Sequence, residues 1–550
     1  MAIQTDWVSS AQAITGRDHL AVQAVSEHLY ATLLPGITNV TDRARCYSFY
    51  PWFIWKFDQV ARKKNIDELV RLFRRGECLH SLIGITHELD TQNEWAHGGG
   101  LVGRDTLVAV ARKVREGKTI RLSQYSSVDA EPEDRYFKNK LGGLGQYYLG
   151  PLKELEVLDG DVRTGVRYTS EWGTTLARVY DRAVDGNAFF EIVRKDQVNL
   201  VDIRSLRSFC PCGLRKNHPE RDTLVDLLFC RGQGDLKHEI GVERRNTLLL
   251  LLDFARRTGK MAGTPINPQL FLSGCYSQFL PDGSPWAVHS LLEKAAEGWC
   301  IYQRQELLAI AVQGMFWGGL AALLLEGGYV PDIKSYAIWF QRHFVSPSDP
   351  HFAGTSFAEI TEVRKASQPL HSNWQSPDHE LGLAEDLLEA QKQNDCSAVV
   401  SLSIKLLTSL IARQTSGSPY GRFEISDGFF EMYRINLASL QRFSGDTWTS
   451  LNGGEWVEWL AANWGIRTHL RVALRKLRHQ TQDSFRIVPL DDGLHVREAP
   501  VAKWSSSRLT QALRFLYDLG ALDAPTDIEN GSYALTEFGA DLLESELARC

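Results

Sequence analysis

The last fifty residues of this 550-residue chain carry the pattern that most restricts its fold. An apolar helix is predicted first, ending at Asp523, and a polar turn follows over residues 524–532. The run Tyr533–Leu535 is typical of a short strand, and Thr536 begins a second apolar helix. This order resembles the second half of a winged helix. The first helix places its apolar side chains three positions apart, at Leu513, Leu516, Leu519 and Leu522.

The same pattern occurs near the other end of the chain, over residues 149–176. Its four leucines and the closing Asp159 precede their C-terminal counterparts by a constant 364 positions. From Glu171 onward the offset is 366, so only the length of the turn changes. An internal repeat decides the architecture, and we expect two winged-helix-like modules with small β-wings. The alternative is that leucines at this spacing recur by chance. The N-terminal copies are Leu149, Leu152, Leu155 and Leu158.

Length and composition indicate an ordinary globular protein with several cores. A chain this long divides into roughly three or four domains, and its net charge of −6 confines any nucleic-acid contact to local basic patches. Nine cysteines, an odd number, favour reduced thiols. The N-terminus lacks a secretory pattern, so a cytoplasmic protein without membrane association is expected.

Breaks in the apolar pattern predict five segments, of which the middle one contains a cysteine pair. The fourth contains an apolar helix with small residues that permit close helix packing, among them Gly314, Gly318 and Gly319. The fifth combines a basic helix, a hairpin and the C-terminal winged-helix-like module. The predicted boundaries are 1–115, 116–182, 183–260, 261–454 and 455–550.

The run Leu33–Phe53, LLPGITNVTDRARCYSFYPWF, is the most distinctive local sequence. Thr41 or Asp42 can begin a helix in which Arg43 and Arg45 precede an aromatic stretch. Such arginines usually anchor a buried helix through carboxylates or carbonyls. The run resembles the N-terminal signature of a bacterial protein family found in phage-defence gene neighbourhoods beside helicases and nucleases. This resemblance implies other protein subunits, such as a helicase or nuclease, as partners, and it supplies no catalytic residue.

Residues 466–486 form the strongest candidate for nucleic-acid binding. Ile466, Leu470, Leu474 and Leu477 are predicted to make a buried apolar stripe, with a basic stripe beside it. Arginines along one helix face can bind successive phosphates, although an acidic protein partner or plain solvated surface would use the same pattern. A hairpin over Phe485–Val496, with Pro489 on an edge strand, should follow. The candidate contacts are Arg467, Arg471, Arg475, Lys476, Arg478 and Arg486, with Arg215 and Lys216 in a second basic patch.

Soft metal ligands occur around the second patch, at Cys210, Cys212, His218 and Cys230. Cysteine–histidine sets hold structural zinc, but this spacing is poor, so we expect packed thiols, no metal and no cofactor. The loop His97–Gly100 resembles an esterase oxyanion loop, yet no G-x-S-x-G elbow occurs. No catalytic set emerges.

The sequence therefore predicts a mainly α-helical, multidomain protein with two winged-helix-like modules. Its predicted function is a non-catalytic, DNA-binding or scaffold subunit of a bacterial anti-phage defence or DNA-processing complex. One alternative is a metal-dependent nuclease whose site is assembled from dispersed residues. The other is a protein-interaction adaptor that does not bind nucleic acid.

Overall fold

The computed structural model is mainly helical and describes most of the chain. The described residues are 18–61, 65–129, 131, 133–161, 165–231, 239–259, 266–345, 355–356, 359–360, 373–374, 376, 379–412, 435–436, 451–479, 483–523 and 533–549. They form two compact units. The first unit comprises residues 1–30, 272–287 and 296–505, and the second comprises 31–271, 288–295 and 506–550. The five predicted segments stay a prediction.

Twenty α-helices are described, numbered here in chain order. The first ten are α1 Gln23–Leu33, α2 Cys46–Val60, α3 Ile66–Thr91, α4 Arg104–Arg115, α5 Leu122–Ser126, α6 Leu149–Glu154, α7 Trp172–Ala183, α8 Gly186–Lys195, α9 Leu200–Ser205 and α10 His218–Leu228. The others are α11 Glu239–Thr258, α12 Pro268–Ser277, α13 Glu293–Leu325, α14 Ile333–Phe344, α15 Glu380–Lys392, α16 Cys396–Ala412, α17 Gly453–Leu460, α18 Thr468–His479, α19 Leu509–Asp518 and α20 Glu537–Ala548.

The described strands are short and antiparallel. In the second unit β1 (Ile120–Arg121) pairs with β4 (Gln197–Val198), and β2 (Leu158–Asp159) pairs with β3 (Arg167–Tyr168). In the first unit β5 (Tyr329–Val330), β7 (Gly493–Val496) and β6 (Ile487–Leu490) form one sheet in that order. The predicted hairpin is therefore present, and Pro489 lies on an edge strand as expected.

The aromatic helix α2 forms the core of the second unit. Its Phe49, Trp52 and Phe53 are buried and contact aromatic rings of α7, α8 and the segment before Cys210. Arg43 and Arg45, just ahead of α2, are almost inaccessible to solvent. A buried guanidinium requires a paired anion. Arg43 pairs with Asp518 at 2.8 Å and Arg45 with Glu220 at 3.1 Å, which confirms the predicted anchoring role.

The predicted repeat has a structural counterpart within the second unit. In each copy a helix ends at a left-handed residue, Glu156 in one and Gly520 in the other. The carbonyl oxygen of the next residue, Val157 or Ala521, accepts a hydrogen bond, and a glycine of the following helix packs against that oxygen. A Cβ atom on Gly173 would lie 2.4 Å from the Val157 oxygen, and one on Gly539 would lie 2.1 Å from the Ala521 oxygen.

Each copy also uses a threonine to close the turn. The hydroxyl of Thr169 donates to the Glu156 carbonyl and accepts from the Gly173 amide, while Thr536 does the same with Gly520 and Gly539. The C-terminal pairing is a single bridge between Leu522 and Leu535. The predicted wing, 524–532, lies outside the described residues. The local motif is thus duplicated, whereas winged-helix modules remain a proposal.

The first unit contains most of the long apolar helix α13. Its glycines permit the close packing that the sequence predicts. A Cβ atom on Gly318 would lie 2.6 Å from Val400, and one on Gly319 would lie 2.1 Å from the Tyr336 hydroxyl. Residues 290–325 are the one described helix long and apolar enough to cross a membrane, and 83% of its apolar window is buried within the protein.

We predict that Asp518→Ala strongly destabilises the protein, because it leaves the buried Arg43 without its anion. Breaking such a pair costs roughly 3–5 kcal/mol. Asp523→Ala is the matched control, since that carboxylate is 63% exposed and should change the free energy of unfolding by about 0–1 kcal/mol. Urea unfolding measures both effects. Equal midpoints for the two variants would contradict the assigned role of Arg43.

Candidate functional site

The exposed face of α18, together with Arg467 just before it, is the first candidate surface. The residues of the predicted basic stripe are exposed, as expected: Arg467, Arg471, Arg475 and Arg478. The twelve residues of α18 include no acid. The helix therefore presents a continuous basic face in the first unit.

The predicted apolar stripe of this helix is wrong in its second half. Leu474 and Leu477 are 52% and 42% exposed, whereas Val472 and Ala473 are buried. The helix thus rests on a face rotated from the one that leucine periodicity indicated. Two leucines consequently lie on the surface among the arginines.

Lys476 and Arg486 do not belong to the exposed basic surface. The Lys476 ammonium donates to the Asp18 carbonyl, and burial lowers its pKa. The Arg486 side chain is only 6% exposed and binds Glu498 at 2.7 Å. Both side chains therefore take part in contacts within the first unit, and their role in nucleic-acid binding stays a prediction.

His469 forms the support beneath this surface. Its Nε2 accepts from the Arg486 amide at 2.9 Å and its Nδ1 donates to the His19 carbonyl at 3.2 Å. Burial lowers the pKa of His469 to about 4. The neutral ring therefore fastens α18 to the residues before the hairpin and carries no positive charge near neutral pH.

The predicted second patch contains one exposed and one packed side chain. Lys216 is exposed. Arg215 lies over the Tyr517 ring at 4.8 Å and approaches the Asp523 carboxylate at 3.3 Å. Part of the charge of Arg215 is thus used within the second unit.

A different arginine cluster lies at the end of α3. The Asp90 side chain is 10% exposed, and its carboxylate oxygens form ion pairs with three guanidinium groups. The nitrogen–oxygen distances are 3.3 Å to Arg115, 3.0 Å to Arg204 and 2.6 Å to Arg207. Burial alone would raise the pKa of Asp90, but hydrogen bonds from Arg204 and Arg207 lower it. Three positive charges share one negative charge, and all three arginine side chains are 40–48% exposed. The group thus has excess positive charge at the surface.

One turn before Asp90, the imidazole of His87 enters a compact group of metal-ligating side chains. The group comprises His87, His97, Cys210 and Cys212, with one ligand atom from each residue within 4.8 Å of the others. His97 Nδ1 lies 3.3 Å from Cys210 Sγ, and His87 Nδ1 lies 3.7 Å from Cys212 Sγ. We call this group the His–Cys cluster. It is the one such group of three or more ligands among the described residues.

Glycines position His97 of the His–Cys cluster. His97 begins the HGGG run, which folds back onto α3. A Cβ atom on Gly98 would lie 2.0 Å from the Glu88 carboxylate and 3.1 Å from the Ile85 Cα atom, so a larger residue there would require the Glu88 side chain to move. Arg43 holds the loop from behind by donating to the Trp95, Ala96 and Gly99 carbonyls at 3.0–3.3 Å.

Cys210 lies between two short 3₁₀ turns, Arg207–Phe209 and Pro211–Lys216, and Cys212 lies within the second turn. Arg45 donates to the Ser208 carbonyl at 2.6 Å and to the Cys210 carbonyl, which positions this segment. A hydrogen bond from the Cys210 thiol, with further help from His97, lowers the pKa of Cys212 to about 4. Burial raises the pKa of Cys210. One thiolate and one thiol are thus the favoured pair when the site holds no metal.

His218 and Cys230, the other ligands considered from sequence, lie elsewhere. His218 is exposed and contacts Arg221 at 3.0 Å, and Cys230 contacts Arg244 at 3.5 Å. The partners of the cysteine pair are instead His87 and His97, more than one hundred residues earlier. Sequence reasoning noticed the HGGG run but tested it only as an oxyanion loop.

Comparison with protein-family models, with curated proteins and with solved structures finds no match for this chain.

We predict that Arg486→Ala lowers the free energy of unfolding by about 1–3 kcal/mol, because a buried charge-assisted hydrogen bond is lost. Arg478→Ala removes the same charge from the exposed helix face and should stay within about 0.5 kcal/mol of the wild type. Parallel urea titrations make the comparison. A larger loss for Arg478→Ala would reverse the division between surface and structural arginines.

Proposed function

We propose that the chain is a non-catalytic, DNA-binding subunit of a bacterial anti-phage defence or DNA-processing complex. The observation that carries this proposal is the exposed face of α18, which has three arginines and no acid, together with Arg467 just before the helix. The resemblance of Leu33–Phe53 to a family found in defence neighbourhoods supplies the cellular context. Helicase or nuclease subunits are the proposed protein partners.

The spacing of the arginines fits a phosphodiester backbone. From Arg467 to Arg478 the helix advances about 16 Å at 1.5 Å per residue. Duplex DNA carries one negative charge per roughly 1.7 Å of axis, so several phosphates lie within reach of this length. Guanidiniums bind phosphate oxygens through forked donors. Contacts of this kind position a protein on DNA without reading its sequence.

The net charge of the chain makes such binding depend on salt. With −6 overall, the protein has no general attraction for DNA. Affinity must come from local patches, and each neutralised phosphate releases counterions. The arginine cluster around Asp90, in the second unit, is a further basic patch that could contribute in this way. We also propose that the duplicated local motif belongs to two winged-helix modules, a type of module that is often DNA-binding.

A protein-binding role for the same face is the second candidate. It is favoured by Leu474 and Leu477, which are exposed between the arginines. Phosphates gain nothing from leucine, whereas an acidic, partly apolar protein surface would bury it. In that case the chain acts as a scaffold or adaptor. A metal-dependent nuclease has less support, because the His–Cys cluster offers sulfur and nitrogen donors, whereas Mg²⁺ prefers oxygen.

We predict that Arg471→Ala and Arg475→Ala each weaken binding of duplex DNA about equally across sequences. Each should also reduce the slope of log K against log salt by roughly one. Fluorescence anisotropy over a salt series measures both quantities. Arg342 is an exposed arginine on α14. Arg342→Ala is therefore the control for the loss of one positive charge, and it should leave the salt slope unchanged.

The leucines separate the two candidates. DNA binding predicts that Leu474→Ser leaves affinity for DNA nearly unchanged. If Leu474→Ser and Arg475→Ala both abolish assembly with a protein subunit while DNA affinity stays at the wild-type value, the adaptor function replaces the DNA-binding one. Absence of DNA binding even at low salt would also overturn the DNA proposal.

A further inference from the structure

We propose that His87, His97, Cys210 and Cys212 form a structural Zn²⁺ site in the second unit. None of the four lies on the α18 face that carries the DNA-binding proposal, so loss of zinc and loss of DNA binding by that face are distinguishable results. The inference rests on the chemistry of the donors, their distances and the way the backbone holds them.

The donor set is one that zinc prefers. Two sulfurs and two imidazole nitrogens are the ligands of structural Zn²⁺ sites, with Zn–S near 2.3 Å and Zn–N near 2.0–2.1 Å. In a tetrahedron these bond lengths separate nitrogen from sulfur by roughly 3.6 Å. Two of the nitrogen–sulfur distances of the cluster are 3.3 and 3.7 Å, and all four donor atoms lie within 4.8 Å of one another. Folding alone therefore brings two nitrogen–sulfur pairs close to the separation that zinc requires.

Four protein ligands fill the coordination sphere of Zn²⁺. A hydrolytic zinc site keeps one position for water, whereas this set leaves none. Both cysteines would bind the ion as thiolates, and the proton of the remaining Cys210 thiol would pass to solvent. The two negative charges of the thiolates then neutralise the two positive charges of Zn²⁺. A neutral site suits this position, where His97 and Cys210 are buried and His87 and Cys212 are half-buried.

The backbone around the cluster is fixed by groups outside it. Arg43 holds the carbonyls beside His97, and Arg45 holds the carbonyl of Cys210. Outer contacts of this kind orient metal ligands.

The metal would join three segments that are far apart in sequence. These are the end of α3, the HGGG loop and the two 3₁₀ turns. Asp90 lies one turn beyond His87, and Arg207 lies three residues before Cys210. The ion thus also aligns the arginine cluster around Asp90, and its role in the second unit is to order this surface.

The test is elemental analysis of full-length protein purified without a histidine tag. We expect one zinc per chain in the wild type and loss of that zinc in Cys212→Ser. Cys396→Ser and His218→Ala are the matched controls, since both residues lie outside the cluster, and each should retain the full zinc content. Cys212→His should keep the metal, because it supplies another ligand.

Cobalt provides a readout that does not depend on a variant that folds. Wild-type protein in which Co²⁺ replaces the bound zinc should show a thiolate-to-cobalt charge-transfer band and the intense visible bands of tetrahedral cobalt. Zinc content that is unchanged in Cys212→Ser, or a cobalt spectrum without the thiolate band, would overturn the proposal. So would wild-type protein that lacks metal and carries a Cys210–Cys212 disulfide.

Discussion

Two buried arginines, two positions apart at the start of α2, organise the second unit. A guanidinium is so costly to bury that the fold must supply an anion and carbonyl oxygens to surround it. For Arg43 these come from Asp518 and the loop before α4, and for Arg45 from Glu220 and the segment around Cys210. This requirement connects α2 to the C-terminal motif and to both ligand loops.

The candidate metal site is a consequence of that arrangement. His97 and Cys210 lie on segments without long regular structure, and such segments need bonds from elsewhere to keep one conformation. The two arginines provide them, and the glycines after His97 bring the loop against α3. His87 needs no such help, because it projects from a helix. Four ligands are thereby gathered from three segments before any ion is considered.

Local patterns in the sequence predicted the parts of the fold that depend on neighbouring residues. The hairpin follows from its Asp-Gly turn, and the anchoring by Arg43 and Arg45 from the aromatic run beside them. The leucines predicted the α19 helix, but it ends at Asp518, five residues before the predicted end at Asp523. The prediction of which side of α18 is buried was wrong, because leucine spacing indicates an apolar helix face but not the neighbouring element against which the helix packs. Leu474 and Leu477 therefore lie exposed.

The candidate site could not be predicted from ligand spacing. Cys210 and Cys212 were noticed, but their partners were sought nearby, at His218 and Cys230. The actual neighbours, His87 and His97, come from tertiary folding, for which one sequence has no periodic signal. The available sign was the HGGG loop, whose glycines indicate a backbone that must approach a helix closely. The HGGG loop and the distant Cys-x-Cys segment can be recognised as one site only in the folded structure, where Arg43 and Arg45 bind their carbonyls.

The most direct test of this account is X-ray absorption at the zinc edge of the full-length protein. The account predicts two sulfur neighbours at about 2.3 Å and two nitrogen neighbours at about 2.0–2.1 Å. A shell made only of nitrogen and oxygen would contradict it, because the cysteine pair would then lie outside the coordination sphere and the arginine-held loops would not form a metal site.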